Sequence, residues 1–173
     1  MKPKVIAVVP AYNEENSIEA VLEATISQKA LDHVVVVDDG STDETFRLAS
    51  LDATIPVIRH GLNVGCGASL RSGILYALRQ KPDIIITLDG DGQHNPEEIP
   101  NLLTPILNGN SHLVVGARDF SRMSLIRKAS NIVTASMLRR FFHVPLPDVQ
   151  CGFRVARADV LGKLTIQQNR YAW

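Results

Sequence analysis

Two aspartates one residue apart, Asp89 and Asp91, follow an apolar run in "IIITLDGDGQHNPEE". Carboxylates that close repel each other unless water screens them or a cation lies between them. The pair reads as a solvated surface turn or as a seat for a hard divalent cation. Mg²⁺ and Mn²⁺ take oxygen ligands and commonly share them between one or two carboxylates and the phosphates of a substrate. Three more segments carry polar chemistry directly after apolar runs: Pro10, Tyr12 and Glu14 after residues 5–9, Asp38-Asp39-Gly40-Ser41 after residues 34–37, and Gly116-Ala117-Arg118 after residues 113–115. Each alone is ordinary for a turn, where Asp, Asn and Gly are favoured. Their joint occurrence is not.

Other meanings of Asp-x-Asp fit less well. An EF-hand loop starting at Asp89 requires Asp or Asn at position 93, Gly at 94 and Glu at 100, and the chain has Gln93, His94 and Pro100 there. Phosphatases with an Asp nucleophile usually carry Asp-x-Asp-Gly-Thr on their first strand. Here the pair follows the fourth apolar run and Gln93 replaces the threonine, so the phosphatase is a weaker alternative. A dinucleotide fingerprint at Gly65-Cys66-Gly67 lacks its third glycine, because Leu70 occupies that place.

The elements that must position these groups alternate strand and helix. Residues 5–9, 34–37, 57–58, 84–88 and 113–115 are strand-length apolar runs. Between them, Ile18, Val21, Leu22, Thr25 and Ile26 keep helical spacing, as do Leu70, Ile74 and Leu78, and Ile99, Leu102, Leu103 and Ile106. Asn16 with Glu19 and Ser41 with Glu44 have capping-box spacing, and Asn95-Pro96 is a helix start. Pro100 and Pro105 are expected to shorten or kink the helix that follows. Strands apolar at every position suit a mostly parallel sheet covered on both faces, a three-layer α/β/α arrangement. In such a sheet ligands bind beyond the carboxyl ends of the strands, where the polar segments all fall.

Composition bounds the class. The chain has 173 residues, 45% hydrophobic and 21% charged, with Cys66 and Cys151 as its only cysteines, too few for a disulfide framework or a four-thiolate zinc site. No apolar run is long enough for a transmembrane segment, and a cytoplasmic protein is expected. The formal net charge is zero, but residues 1–114 hold 8 basic against 15 acidic side chains and residues 115–173 hold 10 against 3. Two parts of one domain attracting each other, or one part handling a cation while the other meets anions, would both produce this asymmetry.

The segments "VVPAYNEENSI", "VVVVDDGSTDET", "GLNVGCGASLRSG", "IIITLDGDGQHNPEEI", "VVGARD" and "DVQCGFRVARADVL" stand in register with those of family 2 glycosyltransferases. The chain resembles in particular the dolichyl-phosphate mannosyltransferase and polyprenyl-phosphate glycosyltransferase branch, over nearly its whole length. The resemblance implies a GT-A fold and a single glycosyltransferase catalytic domain spanning 1–173, without the family's usual C-terminal continuation. It implies that Pro10, Tyr12, Glu14, Val37 and Asp39 surround the base and ribose of a nucleotide-sugar donor. Asp89, Gly90, Asp91 and Gln93 would meet the diphosphate, with Asp89, Asp91 and Gln93 holding Mg²⁺ or Mn²⁺. Arg118 and Arg127 would face phosphate of donor or acceptor. The implied reaction is hexose transfer from GDP-mannose or UDP-glucose with inversion at the anomeric carbon.

A hydroxyl acceptor needs a general base, for which Asp148 is the candidate, with Asp91 carrying the metal's side of the catalysis. A polyprenyl phosphate is already anionic and needs steering, which guanidinium groups supply. Between residues 121 and 144, Arg122, Arg127, Lys128, Arg139 and Arg140 alternate with apolar side chains. This reads as a basic amphipathic helix on the cytoplasmic face of a membrane or as a helix with a core face and a solvated face. No motif points to nucleic acid. A non-catalytic, nucleotide-sugar-binding remnant is the alternative suggested by the short C-terminus.

Overall fold

The computed structural model describes residues 2–117 and 151–163. Within them the chain forms β1 (Val5–Ala11), α1 (Ile18–Ile26), β2 (His33–Asp38), α2 (Thr45–Ala49), β3 (Val57–Arg59), α3 (Cys66–Arg79), β4 (Ile84–Thr87), a 3₁₀ turn (Pro96–Glu98), α4 (Ile99–Leu107), β5 (Leu113–Val115), β6 (Arg154–Arg157) and α5 (Ala158–Leu161). The strands make one sheet in the order β3-β2-β1-β4-β6-β5. β3, β2, β1 and β4 run parallel. β6 lies antiparallel between β4 and β5.

Alternate residues of β1 feed two cores. Val5, Ala7 and Val9 meet Ile18, Val21 and Leu22 of α1 and Ile99, Leu103 and Ile106 of α4. Ile6 and Val8 join Val35 on the opposite side with Leu70, Ile74 and Ala77 of α3 and Leu161 of α5. A strand with both faces covered has no position for a solvated side chain, and all seven residues of β1 are buried. The expected three layers are present.

α3 approaches the sheet through Gly73. A Cβ there would collide with Val8 Cγ1 and lie 3.0 Å from Val37 Cγ2. Gly73→Ala should therefore lower the melting temperature in a thermal scan. Overpacking costs about 1–3 kcal/mol, against a helix-propensity gain of about 1 kcal/mol.

Three local expectations change. No strand was expected at β6, whose "RVAR" has only Val155 and Ala156 between two arginines. It is a strand because its neighbours β4 and β5 satisfy its backbone on both sides. Asn16 and Glu19 form no capping box; Ser17 occupies the N-cap without a side-chain cap bond, and its hydroxyl lies 2.8 Å from the Gly90 carbonyl. Ser41 does not cap α2 either, since its Oγ accepts the Asn13 N–H at 3.0 Å. Asn95 does cap as expected, accepting the Glu97 N–H at 3.1 Å. Pro100 falls in the first turn of α4, where no N–H is required, and the helix ends two residues after Pro105.

β1 has β2 on one side and β4 on the other, with the chain leaving in opposite directions. That is the switch point at which the loops after β1 and β4 open a crevice.

Candidate functional site

The crevice is built by tying the loop after β1 to the loop after β4. The Gly90 N–H donates to the Pro10 carbonyl at 3.1 Å, and the Ser17 hydroxyl reaches the Gly90 carbonyl. A Cβ on Gly90 would lie 3.2 Å from both Ala11 Cβ and the Pro10 oxygen, so a bulkier residue would spread the two loops. The Glu14 N–H donates to Thr45 Oγ1 at 2.7 Å, which anchors the first loop to α2.

Carboxylates collect at this junction. Burial pushes the Glu14 carboxyl above its ordinary range; the Ser17 hydroxyl works against that shift, and the charges of Asp91, Asp43 and Asp89 add to it. This mutual repulsion is the electrostatic signature of groups that share one space. Asp91 Oδ1 accepts the N–H of Gln93 at 3.0 Å, which closes the turn on itself. Asp89 Oδ2 lies 3.3 Å from His94 Nε2. Asp89 and Asp91 are half-buried, and Gln93 is exposed.

The loop after β2 is organised differently. Asp38 is fully buried; its Oδ1 accepts the Ser41 N–H at 3.2 Å. Its Oδ2 lies 3.1 Å from Arg59 Nε, a charge contact without hydrogen-bond geometry. Asp39, 3% exposed, faces the chain after β3. It lies 2.7 Å from His60 Nδ1 and accepts the Gly65 N–H at 2.7 Å and the Val64 N–H at 3.2 Å. Burial tends to raise the Asp39 carboxyl, but the donors from His60, Val64, Gly65 and Ser69 outweigh it and hold the group below its usual range. His60 Nε2 in turn reaches Ser72 Oγ of α3 at 3.0 Å. Gly40, at φ +72°, lets the backbone of Leu62 and Asn63 rest directly on it, where any side chain would collide.

The structure thus brings Glu14, Asp89, Gly90, Asp91 and Gln93 to one crevice, with Asp39 under the neighbouring loop. Tyr12 stands 42% exposed at the rim. Pro10 and Val37 are buried, with Val37 turned to Gly73 of α3. Arg118, Arg127 and Asp148 lie outside the described residues. The sequence reading missed Ser17, His60 and His94. The two histidines stand directly after a strand and directly after the Asp-x-Asp turn, and that placement was their only signal.

Cys66 begins α3 close to these carboxylates. Burial pushes its thiol up to about 11, with Asp89, Asp39 and Asp91 adding to the shift. A thiol so disfavoured as thiolate is no nucleophile at neutral pH.

Among the described residues no three His, Cys, Asp or Glu side chains form a complete metal cluster. Two oxygen-bearing carboxylates at the mouth of a crevice nevertheless fit Mg²⁺ or Mn²⁺, which complete their octahedra with water and substrate phosphate. They do not fit a dedicated all-protein cage.

Residues 6–165 match the model of glycosyl transferase family 2. The chain belongs to that family. It is a glycosyltransferase sequence, and several of its relatives carry that chemistry in their names. It is 29% identical to a UDP-N-acetylglucosamine–dolichyl-phosphate N-acetylglucosaminyltransferase of Methanococcus voltae, covering 92% of this chain and 72% of that protein. It is 28% identical to an undecaprenyl-phosphate mannosyltransferase of Micrococcus luteus, covering 91% of this chain and 68% of that protein. The fold matches the crystal structure of glucosyl-3-phosphoglycerate synthase from Mycobacterium tuberculosis in complex with Mn²⁺, UDP and glucosyl-3-phosphoglycerate, with a TM-score of 0.74 at 24% identity. That match covers 94% of this chain and 59% of the synthase. The fold is GT-A, as the resemblance implied. No helix among the described residues is long and apolar enough to cross a membrane.

Proposed function

We propose that this chain moves a hexose from a nucleotide-sugar to a polyprenyl phosphate at a membrane surface, with inversion at the anomeric carbon. The observation that carries the reading is the tie between the loop bearing Glu14 and the turn bearing Asp89 and Asp91, through the Gly90 N–H to the Pro10 carbonyl and the Ser17 hydroxyl to the Gly90 carbonyl, at the switch point of the sheet in a chain of this family. A bound Mg²⁺ or Mn²⁺ supplies charge neutralisation for the departing nucleoside diphosphate. Asp89 and Asp91 would hold it with Gln93 of the same turn, and the Gly90 backbone, seated on the Pro10 carbonyl, keeps the loop low enough for the diphosphate to approach.

Tyr12 offers its exposed ring to the base, and Pro10 and Val37 keep that ring's loop seated on the sheet. Asp39 shapes the base side of the crevice by fixing residues 60–65. The acceptor assignment follows the named acceptors of the two lipid-phosphate relatives. An anionic phosphate oxygen attacks the anomeric carbon as the bond to the nucleotide breaks, so no proton has to be removed. Asp148 is then not needed as a base, and Arg118 and Arg127 are assigned to phosphate steering. The enzyme would work peripherally on the cytoplasmic face.

Calorimetric titration of GDP-mannose and UDP-glucose, with and without Mn²⁺, is the test, followed by transfer to a radiolabelled polyprenyl phosphate. Metal-dependent binding of one donor with lipid-linked product is expected. Binding without transfer would leave a nucleotide-sugar-binding remnant, and no binding by the folded protein would sink the donor site and revive the phosphatase alternative.

A further inference from the structure

Asp89 is gripped by residues to which neither the motif nor the proposed reaction assigns a task. Against it stands His94, whose side chain is 5% exposed, with Nε2 3.3 Å from Asp89 Oδ2. Its ring is seated against Phe153, centroid to centroid 5.4 Å at 46°. Gly152 stands beside it. A Cβ at Gly152 would overlap the Asp89 carboxylate, coming nearest to the same Oδ2 and lying 2.7 Å from both Cγ and Oδ1. The walls themselves are fixed. Thr87, buried on β4 two residues before Asp89, donates its hydroxyl to the Gly152 carbonyl at 2.8 Å. Phe153 is buried, and its carbonyl accepts the Gly116 N–H at 2.8 Å.

Such a grip answers a physical problem. Asp89 sits among like charges, Asp91 and Glu14, and a free side chain would turn away from them towards water. Holding one carboxylate against two others requires a donor and a confined volume. His94, with a proton on Nε2, supplies the donor; the missing side chain at Gly152 supplies the volume. We propose that His94 and Gly152 form a clamp that fixes the Asp89 carboxylate for a divalent cation, with His94 as a positioning residue that touches neither cation nor sugar. The proposal rests on the assignment of Asp89 as a metal ligand. It also gives a task to "CGF" (residues 151–153), which the sequence reading used only as part of a resemblance.

The test is Mn²⁺ affinity, measured by electron paramagnetic resonance of the free ion at saturating nucleotide, beside the melting temperature of each variant. His94→Phe keeps a ring against Phe153 and removes the donor. His94→Gln returns an N–H near the position of Nε2, and His94→Asn carries the same amide on a shorter stem. Loss of an outer partner of a metal ligand typically costs about 10–100-fold in affinity. His94→Phe and His94→Asn should therefore bind Mn²⁺ at least about tenfold more weakly, His94→Gln should recover most of that, and the melting temperatures of Gln and Asn should agree. Gly152→Ala should weaken Mn²⁺ as severely as His94→Phe.

Wild-type affinity in His94→Phe overturns the clamp. Should His94→Phe not fold, equal affinities for Gln and Asn overturn it instead. Asp91→Ala separates the two readings. If it loses Mn²⁺ while the His94 variants keep it, only the clamp fails; if wild type and Asp91→Ala bind alike, the donor site fails and the clamp with it.

Discussion

Asp91→Asn should abolish metal-dependent donor binding while leaving the melting temperature unchanged or slightly higher. The two effects separate because the asparagine keeps the shape and the acceptor of the side chain it replaces. Its Oδ1 can still take the Gln93 N–H that closes the turn, so the loop stays where it is. What disappears is one negative charge. Burial raises the Glu14 carboxyl and the Asp91 charge raises it further, so neutralising residue 91 relieves a repulsion that the folded protein otherwise carries. The same charge is what a divalent cation and the diphosphate behind it require. Removing a preorganised electrostatic group at a leaving-group site costs about 10²–10³-fold in rate, and transfer to the lipid phosphate should fall by at least that much. Initial-rate assays and differential scanning calorimetry on the two proteins check both halves. A variant that lost stability along with activity would point to a structural carboxylate instead.

The sheet was legible because its strands are apolar at every position, as two covered faces demand. Val5, Ile6, Ala7, Val8 and Val9 announce β1 without any help from partners. β6 was not legible, since its four residues carry charges at both ends and owe their extended form to β4 and β5. The caps expected at Asn16 and Ser41 failed for a related reason. The spacing from Asn16 to Glu19 is correct for a capping box, yet Ser17 is drawn to the Gly90 carbonyl, 73 residues away, and no local rule weighs that competitor. The acidic crevice was readable because the order of polar loops at strand ends follows from the α/β pattern alone. The partners of those carboxylates were not readable. His60 reaches Asp39 across 21 residues and Gly65 reaches it across 26, distances at which sequence spacing carries no signal. Asp39 reads in the sequence as a residue beside the base, and the fold adds that its carboxylate also holds the protein's own donors.

Asp39→Ala turns that addition into a measurement. A residue whose main task is to read a base can be removed with little loss of stability. Asp39 is buried and binds the N–H groups of Val64 and Gly65 together with the His60 imidazole. Removing the acceptor strands donors that are only partly reached by water. Each buried unsatisfied group costs about 1–3 kcal/mol, so a loss of about 2–4 kcal/mol is expected. At this chain length that is a fall of roughly 5–15 °C in melting temperature. The effect should also depend on pH in a defined direction. The folded-state pKa of Asp39 lies below its ordinary value, so its stabilisation is fully present above the unfolded carboxylate range and fades as pH falls through the folded value. The gap in stability between wild type and Asp39→Ala should therefore be widest near neutral pH and narrow steadily in the acid range below about pH 4. Urea melts at several pH values give that curve. A gap that stayed constant with pH would mean that volume, not the charged acceptor, was what the loop had lost. If donor affinity in the surviving folded fraction also drops without any change in preference between GDP-mannose and UDP-glucose, Asp39 acts on the base through the loop it holds.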